Sequence, residues 1–225
     1  MNRLGKIETA VLDFDGVMAI LPPEFWIDVR IKALEEIAGK KVTTDDELYR
    51  KFVKLGEDPQ IGWKEAYLRL GGDFLFFSRI VNSAEKAAYL KFDSELLETI
   101  NALREIVKKI VVFSGSNYGS VVDGLNVLFN DMGTLKMIDR IVTSDLLQET
   151  TKPDLTAYQQ MLKKCSINPK TAMMVDDSPA EIASAKKAGM KGVLVGNHPE
   201  SVLKKIKPDL QIPNIYSLIS ILAGN

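Results

Sequence analysis

Apolar and polar positions along the chain fall into two kinds of pattern. Five short runs of continuous apolar or β-branched residues are typical of strands that are buried on both faces of a parallel sheet. They cover residues 9–13, 110–113, 140–143, 172–175 and 192–195. Residues 210–212 form a possible short edge strand, and apolar residues at helical spacing fill the stretches between the later strands. This alternation predicts a doubly wound α/β domain with a parallel sheet.

The stretch between the first two strands follows the helical pattern alone. Apolar residues recur at helical spacing over 25–37, 44–55, 63–70 and 74–90. Gly39 is expected to cap the first of these helices, and Thr44 with Glu47 predicts a capping box at the start of the second. We therefore predict an α/β core domain of residues 1–17 and 91–225, interrupted by a smaller all-helical domain of residues 18–90.

Composition and net charge add to these predictions only by excluding some classes of binding partner. The net charge of −1 over 225 residues gives no electrostatic case for nucleic acid or an anionic membrane surface. No apolar run approaches the roughly 20 residues of a membrane span, and Asp13 and Asp15 interrupt the apolar N-terminal stretch that a signal peptide would need. The lone Cys165 lies in a helical pattern and is expected to be buried or half-buried. We expect a cytoplasmic protein with a small-molecule partner, and the oligomeric state stays open.

Two carboxylates follow the first strand one residue apart. Because side chains alternate faces along a strand, Asp13 and Asp15 both point toward one place beyond its carboxyl end. Gly16 allows the chain to turn away sharply. Two close acids at a buried strand end suit a divalent cation or a catalytic pair, and an Asx turn is the alternative.

Polar residues also follow the later strands, where ligands bind in open parallel sheets. They are Ser114-Gly115-Ser116-Asn117 after the second strand, Lys152-Pro153 near the third and Asp176-Asp177-Ser178 after the fourth. Carboxylates, a lysine, a hydroxyl and glycine-permitted backbone amides together suit a divalent cation bound beside a phosphate group.

In this order, the motifs resemble those of the haloacid dehalogenase superfamily, phosphatase branch, and the resemblance spans Thr9 to about Val195. It implies a Rossmann-like core, a Mg²⁺ cofactor and an aspartyl-phosphate intermediate. It also implies that the helical insertion is a cap that excludes water from the site.

The resemblance assigns the first two acids different tasks. Asp13 resembles the family's nucleophile and a metal ligand. Asp15 resembles its general acid and base, with its backbone carbonyl as a further metal ligand. Since dehalogenase relatives lack an acid at the second position, Asp15 points to phosphoryl transfer.

The later motifs supply the remaining roles that the resemblance implies. Ser114 and the amide of Gly115 resemble the groups that bind the phosphoryl oxygens, and Lys152 resembles the lysine that steadies both nucleophile and phosphate. Asp177 resembles the metal-binding acid. Asp176 is either a direct ligand or the holder of a metal-bound water.

Other residues have simpler interpretations. Some relatives place a second metal acid at the position of Glu181, but a capping box with Ser178 explains it too, and we favour the cap. Trp63 and Lys64 are candidate contacts for the substrate's leaving group, although Trp63 also suits the packed interior of the helical domain. His198 is expected in a surface turn.

The sequence thus predicts a Mg²⁺-dependent phosphatase of small phosphorylated metabolites. A phosphosugar mutase would use the same core residues. A receiver-type phospho-signalling module is disfavoured, because its phospho-acceptor lies on a later strand and it lacks a large helical insertion. An inactive phosphate-binding relative is the third alternative.

Overall fold

The computed structural model describes residues 4–56, 62–83, 85–131 and 134–223, without the side chains at positions 62, 64, 74, 75, 78, 82, 83, 134, 135 and 223. It divides into two compact units, Met1–Ile20 with Leu90–Asn225, and Leu21–Tyr89. The chain therefore leaves the first unit after residue 20, where the sequence predicts 17, and re-enters it at residue 90, where the sequence predicts 91.

Six parallel strands form the sheet of the first unit. They are β1 (Thr9–Leu12), β2 (Lys109–Ser114), β3 (Arg140–Thr143), β4 (Ala172–Asp176), β5 (Lys191–Val195) and β6 (Leu210–Ile212). Their order across the sheet is β3-β2-β1-β4-β5-β6. Every residue of β1 and β4 is buried, as the continuous apolar runs predict. The predicted α/β class with a parallel sheet is confirmed.

The second unit contains four α-helices among its described residues. They are α1 (Pro23–Ala38), α2 (Glu47–Gly56), α3 (Gly62–Arg69) and α4 (Phe74–Ser83), followed by a 3₁₀ turn over Lys86–Tyr89. Gly39 ends α1 in the left-handed conformation, as predicted. The core of the unit is built around Phe52 and Tyr67, which are fully buried and whose rings pack edge to face.

Two predictions for the second unit are wrong. The capping box at Thr44 does not form, because the Asp46 carboxylate accepts the Thr43 N–H at 2.6 Å and α2 starts at Glu47. The fourth helix ends at Ser83 and does not reach residue 90. The predicted loop at 57–60 lies outside the described residues.

The helices of the first unit flank its sheet. They are α5 (Ser94–Ile106), α6 (Tyr118–Leu128), α7 (Thr134–Met137), α8 (Leu155–Lys164), α9 (Pro179–Lys187), α10 (Glu200–Ile206) and α11 (Leu218–Ala223). The short α7 is absent from the sequence prediction, and the last helix starts as a 3₁₀ turn over Ile215–Ser217. Within the described part of the chain, no helix has the length and apolar character needed to cross a bilayer.

The sheet and α8 share a core that supports the carboxyl ends of the strands. Tyr158 and Met161 of α8 are fully buried, and the Tyr158 ring packs edge-on against Phe113 of β2, with centroids 5.2 Å apart. Cys165 is buried, as expected. The strand order reverses between β1 and β4, and in sheets of this kind ligands bind at the carboxyl ends beside that reversal.

Candidate active site

Backbone register brings the ends of β1, β2 and β4 together. Leu12 pairs with Val112 on one side and with Val175 on the other. The ladder continues for one bond, because the Asp13 N–H donates to the Val175 carbonyl at 2.9 Å. Asp13 at the end of β1 and Asp176 at the end of β4 therefore lie next to each other, and both are buried.

Lys152 joins these acids from the loop before α8. Its Nζ donates to Asp13 Oδ1 at 2.5 Å, to Asp176 Oδ2 at 2.9 Å and to the Phe113 carbonyl at 3.1 Å. The carboxylate of Glu181 forms a further short ion pair with the same nitrogen. The Lys152 side chain is only 2% exposed, so this ammonium group takes its partners from the protein.

The buried acids outnumber the cation they share. Burial would lower the pKa of Lys152, but Asp13, Asp176 and Glu181 outweigh it and hold that pKa well above its ordinary value. Burial and the neighbouring Asp176 raise the pKa of Asp13 and Glu181 well above the ordinary range, with Lys152 acting in the opposite direction. These acids therefore hold their protons more tightly than exposed carboxyl groups do, and a further cation at the cluster would favour their charged forms.

Three of the acids could hold a metal ion. Carboxylate oxygens of Asp13, Asp176 and Asp177 lie within 4.8 Å of one another. Burial and the charge of Asp176 raise the pKa of Asp177 to about 6. A donor set made only of carboxylate oxygens suits a hard divalent cation such as Mg²⁺, so these residues fit the predicted cofactor.

Two features of the structure require glycine at position 16. Its φ is +84°, a region that side chains with a Cβ rarely adopt, and a Cβ there would collide with the Asp177 carboxylate. The turn after Asp15 thus makes room for the metal-binding candidate from β4.

The Asp15 carboxylate has partners of its own. Its Oδ2 accepts a hydrogen bond from Ser116 Oγ at 2.6 Å. Ser116 belongs to the loop after β2, where its N–H donates to Ser114 Oγ at 3.0 Å. The carbonyl of Gly115 accepts from Ser144 Oγ at 2.7 Å. The structure thus brings Ser114 and Gly115 to the same edge of the sheet as the acids, as the motif order predicts.

Glu181 departs from its preferred sequence interpretation. Ser178 precedes α9 but its side chain makes no capping hydrogen bond, and its N–H donates to Asp176 Oδ1 at 2.8 Å. The Glu181 carboxylate contacts Lys152 instead. The capping box is wrong because Asp176 already accepts the Ser178 N–H that Glu181 would need, while the buried Lys152 ammonium group attracts the Glu181 carboxylate. Side chains in the first turn of a helix lean back toward its start, and that signal could have placed Glu181 beside β4.

One of the two candidates in the helical unit, Trp63, belongs to that unit's own packing. The half-buried Trp63 meets Phe52 edge-on, with centroids 5.5 Å apart, and the Arg30 guanidinium lies 3.7 Å from the centre of the Trp63 ring. The Lys64 side chain lies outside the described residues. A substrate contact by either residue stays a prediction. His198 lies after β5, with Nε2 2.9 Å from the Val195 carbonyl.

Solved structures share this fold at low sequence identity. CbbY from Rhodobacter sphaeroides in complex with phosphate is 18% identical, with a TM-score of 0.65, covering 94% of this chain and 96% of that one. L-2-haloacid dehalogenase from Xanthobacter autotrophicus is 15% identical, with a TM-score of 0.58, covering 97% and 99%. Because a phosphate complex and a dehalogenase are both similar, the fold alone does not select the reaction.

Sequence comparison gives the family. A protein of Caldanaerobacter subterraneus that carries the provisional name pyrophosphatase PpaX is 30% identical over 140 residues, which are 60% of this chain. The match spans about 60% of that curated relative's length. The sequence profile of the haloacid dehalogenase-like hydrolases matches residues 10–195, from the second residue of β1 to the end of β5. That range includes each of the buried ionisable residues described above, and the chain belongs to the haloacid dehalogenase-like hydrolase family.

Proposed function

We propose that this protein is a Mg²⁺-dependent phosphatase that hydrolyses small phosphorylated metabolites through an aspartyl-phosphate on Asp13. One observation carries the proposal. Asp13 and Asp15 lie two residues apart but are held by different groups, Asp13 by Lys152 and Asp15 by Ser116. This separation suits one acid that attacks phosphorus and a second that moves protons.

The proposed reaction has two displacements. An Asp13 oxygen attacks phosphorus while the bond from phosphorus to the ester oxygen breaks, and Asp15 gives its proton to the departing oxygen. Water then attacks the phosphorus of the aspartyl-phosphate, Asp15 takes a proton from that water, and the bond to Asp13 breaks. Inorganic phosphate leaves, and both acids return to their starting states.

The remaining residues would offset charge and orient the phosphoryl group. Lys152, whose raised pKa keeps it charged, reduces the repulsion between the Asp13 carboxylate and an anionic substrate. Ser114 and the backbone amide of Gly115 would donate to phosphoryl oxygens. Asp13, Asp176, Asp177 and the Asp15 carbonyl would hold Mg²⁺, which when bound neutralises negative charge on the transferring group.

We assign the helical unit to the cap of this family. In that role it selects the substrate, and Trp63 and Lys64 are the first residues to test there. The core residues alone specify phosphoryl transfer but not the leaving group.

Pyrophosphate is a second candidate substrate. It is favoured by the 30% identity to the relative that carries a pyrophosphatase name. The same acids and lysine would serve, because pyrophosphate also presents a phosphoryl group with an oxygen leaving group.

A substrate panel tests the proposal. Sugar phosphates, nucleotides, phosphoglycolate, p-nitrophenyl phosphate and pyrophosphate are each incubated with the protein, with Mg²⁺ or with a chelator, and inorganic phosphate is measured. We expect release from at least one ester that depends on Mg²⁺. Release from pyrophosphate alone favours the second candidate. Mutase turnover of a phosphosugar without phosphate release would overturn the proposal.

A further inference from the structure

The hydrogen bond between Ser116 and Asp15 links two loops that are distant in sequence. Ser116 Oγ donates to Asp15 Oδ2 at 2.6 Å, across a separation of 101 residues. The Ser116 residue is only 3% exposed. A short bond from a buried hydroxyl to a carboxylate belongs to the stronger class of protein hydrogen bonds.

The backbone around Ser116 is held at several points. Its own N–H donates to Ser114 Oγ, and Ser144 Oγ holds the preceding carbonyl of Gly115. Two residues later, the Tyr118 N–H donates to the Asp145 carboxylate at 3.1 Å. The loop after β2 is therefore fixed by the segment after β3, and the Ser116 hydroxyl is presented in a defined position.

The backbone at Asp15 is also held. Gly16, which follows it, donates its N–H to the Ala19 carbonyl at 3.0 Å, and Ala19 in turn donates to the Phe14 carbonyl at 2.8 Å. The hydrogen bond from Ser116 to one carboxyl oxygen adds a defined contact at the end of the Asp15 side chain and restricts the orientation of that group.

We propose that Ser116 is a positioning residue that holds the Asp15 carboxyl group in the orientation needed to give and take protons. This inference rests on the proposed phosphatase function. The Ser116 hydroxyl keeps its own proton throughout, since it donates a hydrogen bond to Asp15 and is not among the groups proposed to bind the phosphoryl oxygens. Its effect is therefore limited to reaction steps in which Asp15 moves a proton.

Because the effect is confined to proton transfer, a comparison of leaving groups distinguishes a positioning role from a purely structural one. An alkoxide leaving group needs a proton from Asp15, whereas p-nitrophenolate departs without one. The Ser116→Ala variant should lower kcat/KM for alkyl phosphates by about tenfold or more and for p-nitrophenyl phosphate by less than about twofold. Inhibition by inorganic phosphate should stay unchanged.

Ser120→Ala is the matched control. It makes the same chemical change in α6, where the buried Ser120 Oγ has no hydrogen-bond partner among the described residues. We expect it to leave both classes of substrate unaffected. If Ser116→Ala does not fold, Ser116→Cys carries the same test, since a thiol of similar size is a weak donor.

A double-mutant cycle completes the experiment. In an Asp15→Ala background, Ser116→Ala should lower the rate on alkyl phosphates no further, because the residue it positions is gone. Equal loss on all leaving groups, no loss, or full additivity with Asp15→Ala would each overturn the role of Ser116. A wild-type protein that releases no phosphate would instead overturn the proposed function, and the role of Ser116 with it.

Discussion

The two ends of the parallel sheet carry opposite kinds of electrostatics. At the amino ends, an acid precedes each of three strands: Glu8 before β1, Asp139 before β3 and Asp209 before β6. Each is paired with basic side chains near the surface: Lys6 and Lys108 for Glu8, Arg104 for Asp139, and Lys186 and Lys191 for Asp209. At the carboxyl ends, by contrast, Lys152 is paired with the buried Asp13 and Asp176 and with the half-buried Glu181.

The pKa shifts follow this difference. Hydrogen bonds from Lys6 and Lys108 lower the pKa of Glu8 to about 2, and Arg104 lowers the pKa of Asp139. Burial raises the pKa of Asp13 and Glu181. Ion pairs at one end favour the folded state with charges that the protein balances itself. At the other end the acids outnumber the lysine they share, and a bound cation would offset that imbalance, which is typical of a functional site.

The largest expected effect is the loss of phosphatase activity when Asp13, at the carboxyl ends of the strands, is replaced. Asp13→Asn should reduce phosphate release to below about 1% of the wild-type rate, because an amide is a poor nucleophile. Its melting temperature should not fall, since the amide oxygen still accepts from Lys152 and one excess negative charge is removed. The exposed Asp154, whose side chain makes no capping bond, gives the matched control Asp154→Asn, which should keep full activity. Activity well above that limit would remove Asp13 as the nucleophile.

The stability of the same cluster should depend on its one lysine. Lys152→Met keeps most of the side-chain volume but removes the cation that Asp13, Asp176 and Glu181 share. The free energy of unfolding, measured by urea titration with a chelator present, should fall by about 3–5 kcal/mol. Lys204→Met is the control, because it removes an ion pair with Glu200 in which the two side chains are 72% and 79% exposed. It should leave the urea unfolding midpoint unchanged. Equal stability of the two variants would contradict a buried, charge-dependent cluster.

Sequence patterns predict those features of the two sheet ends that depend on the backbone alone. Continuous apolar runs place β1 and β4, and parallel register then puts Asp13 beside Asp176 without further information. Lys152 lies 139 residues from Asp13. Its position near the end of the third strand makes it a candidate, but only the resemblance to a known family predicts that it meets Asp13. Periodicity alone predicts nothing for that loop.

Sequence patterns miss the contacts that depend on competition between side chains. Glu181 satisfies a local capping pattern, yet Lys152 attracts it, and Ser116 meets Asp15 only because two loops converge. Similarly, the acid and threonine that bond before α2 are Asp46 and Thr43, and not the predicted Glu47 and Thr44. Local motifs name the groups that can bond, whereas tertiary packing decides which bonds form.

The smallest expected effect is at the amino end and depends on pH. The Asp139 carboxylate accepts two hydrogen bonds from Arg104 and one from the Ile110 N–H at 2.8 Å. Because its pKa is lowered in the folded state, its charge stabilises the protein fully above the unfolded pKa of about 4 and progressively less below it. Asp139→Asn, which removes the charge but keeps an acceptor for Ile110, should cost about 1 kcal/mol or less at pH 7. Urea titrations from pH 7 to below 4 should show the gap to wild type narrowing only in the acid range, and a gap that is independent of pH would show that packing, not charge, holds this end of the sheet.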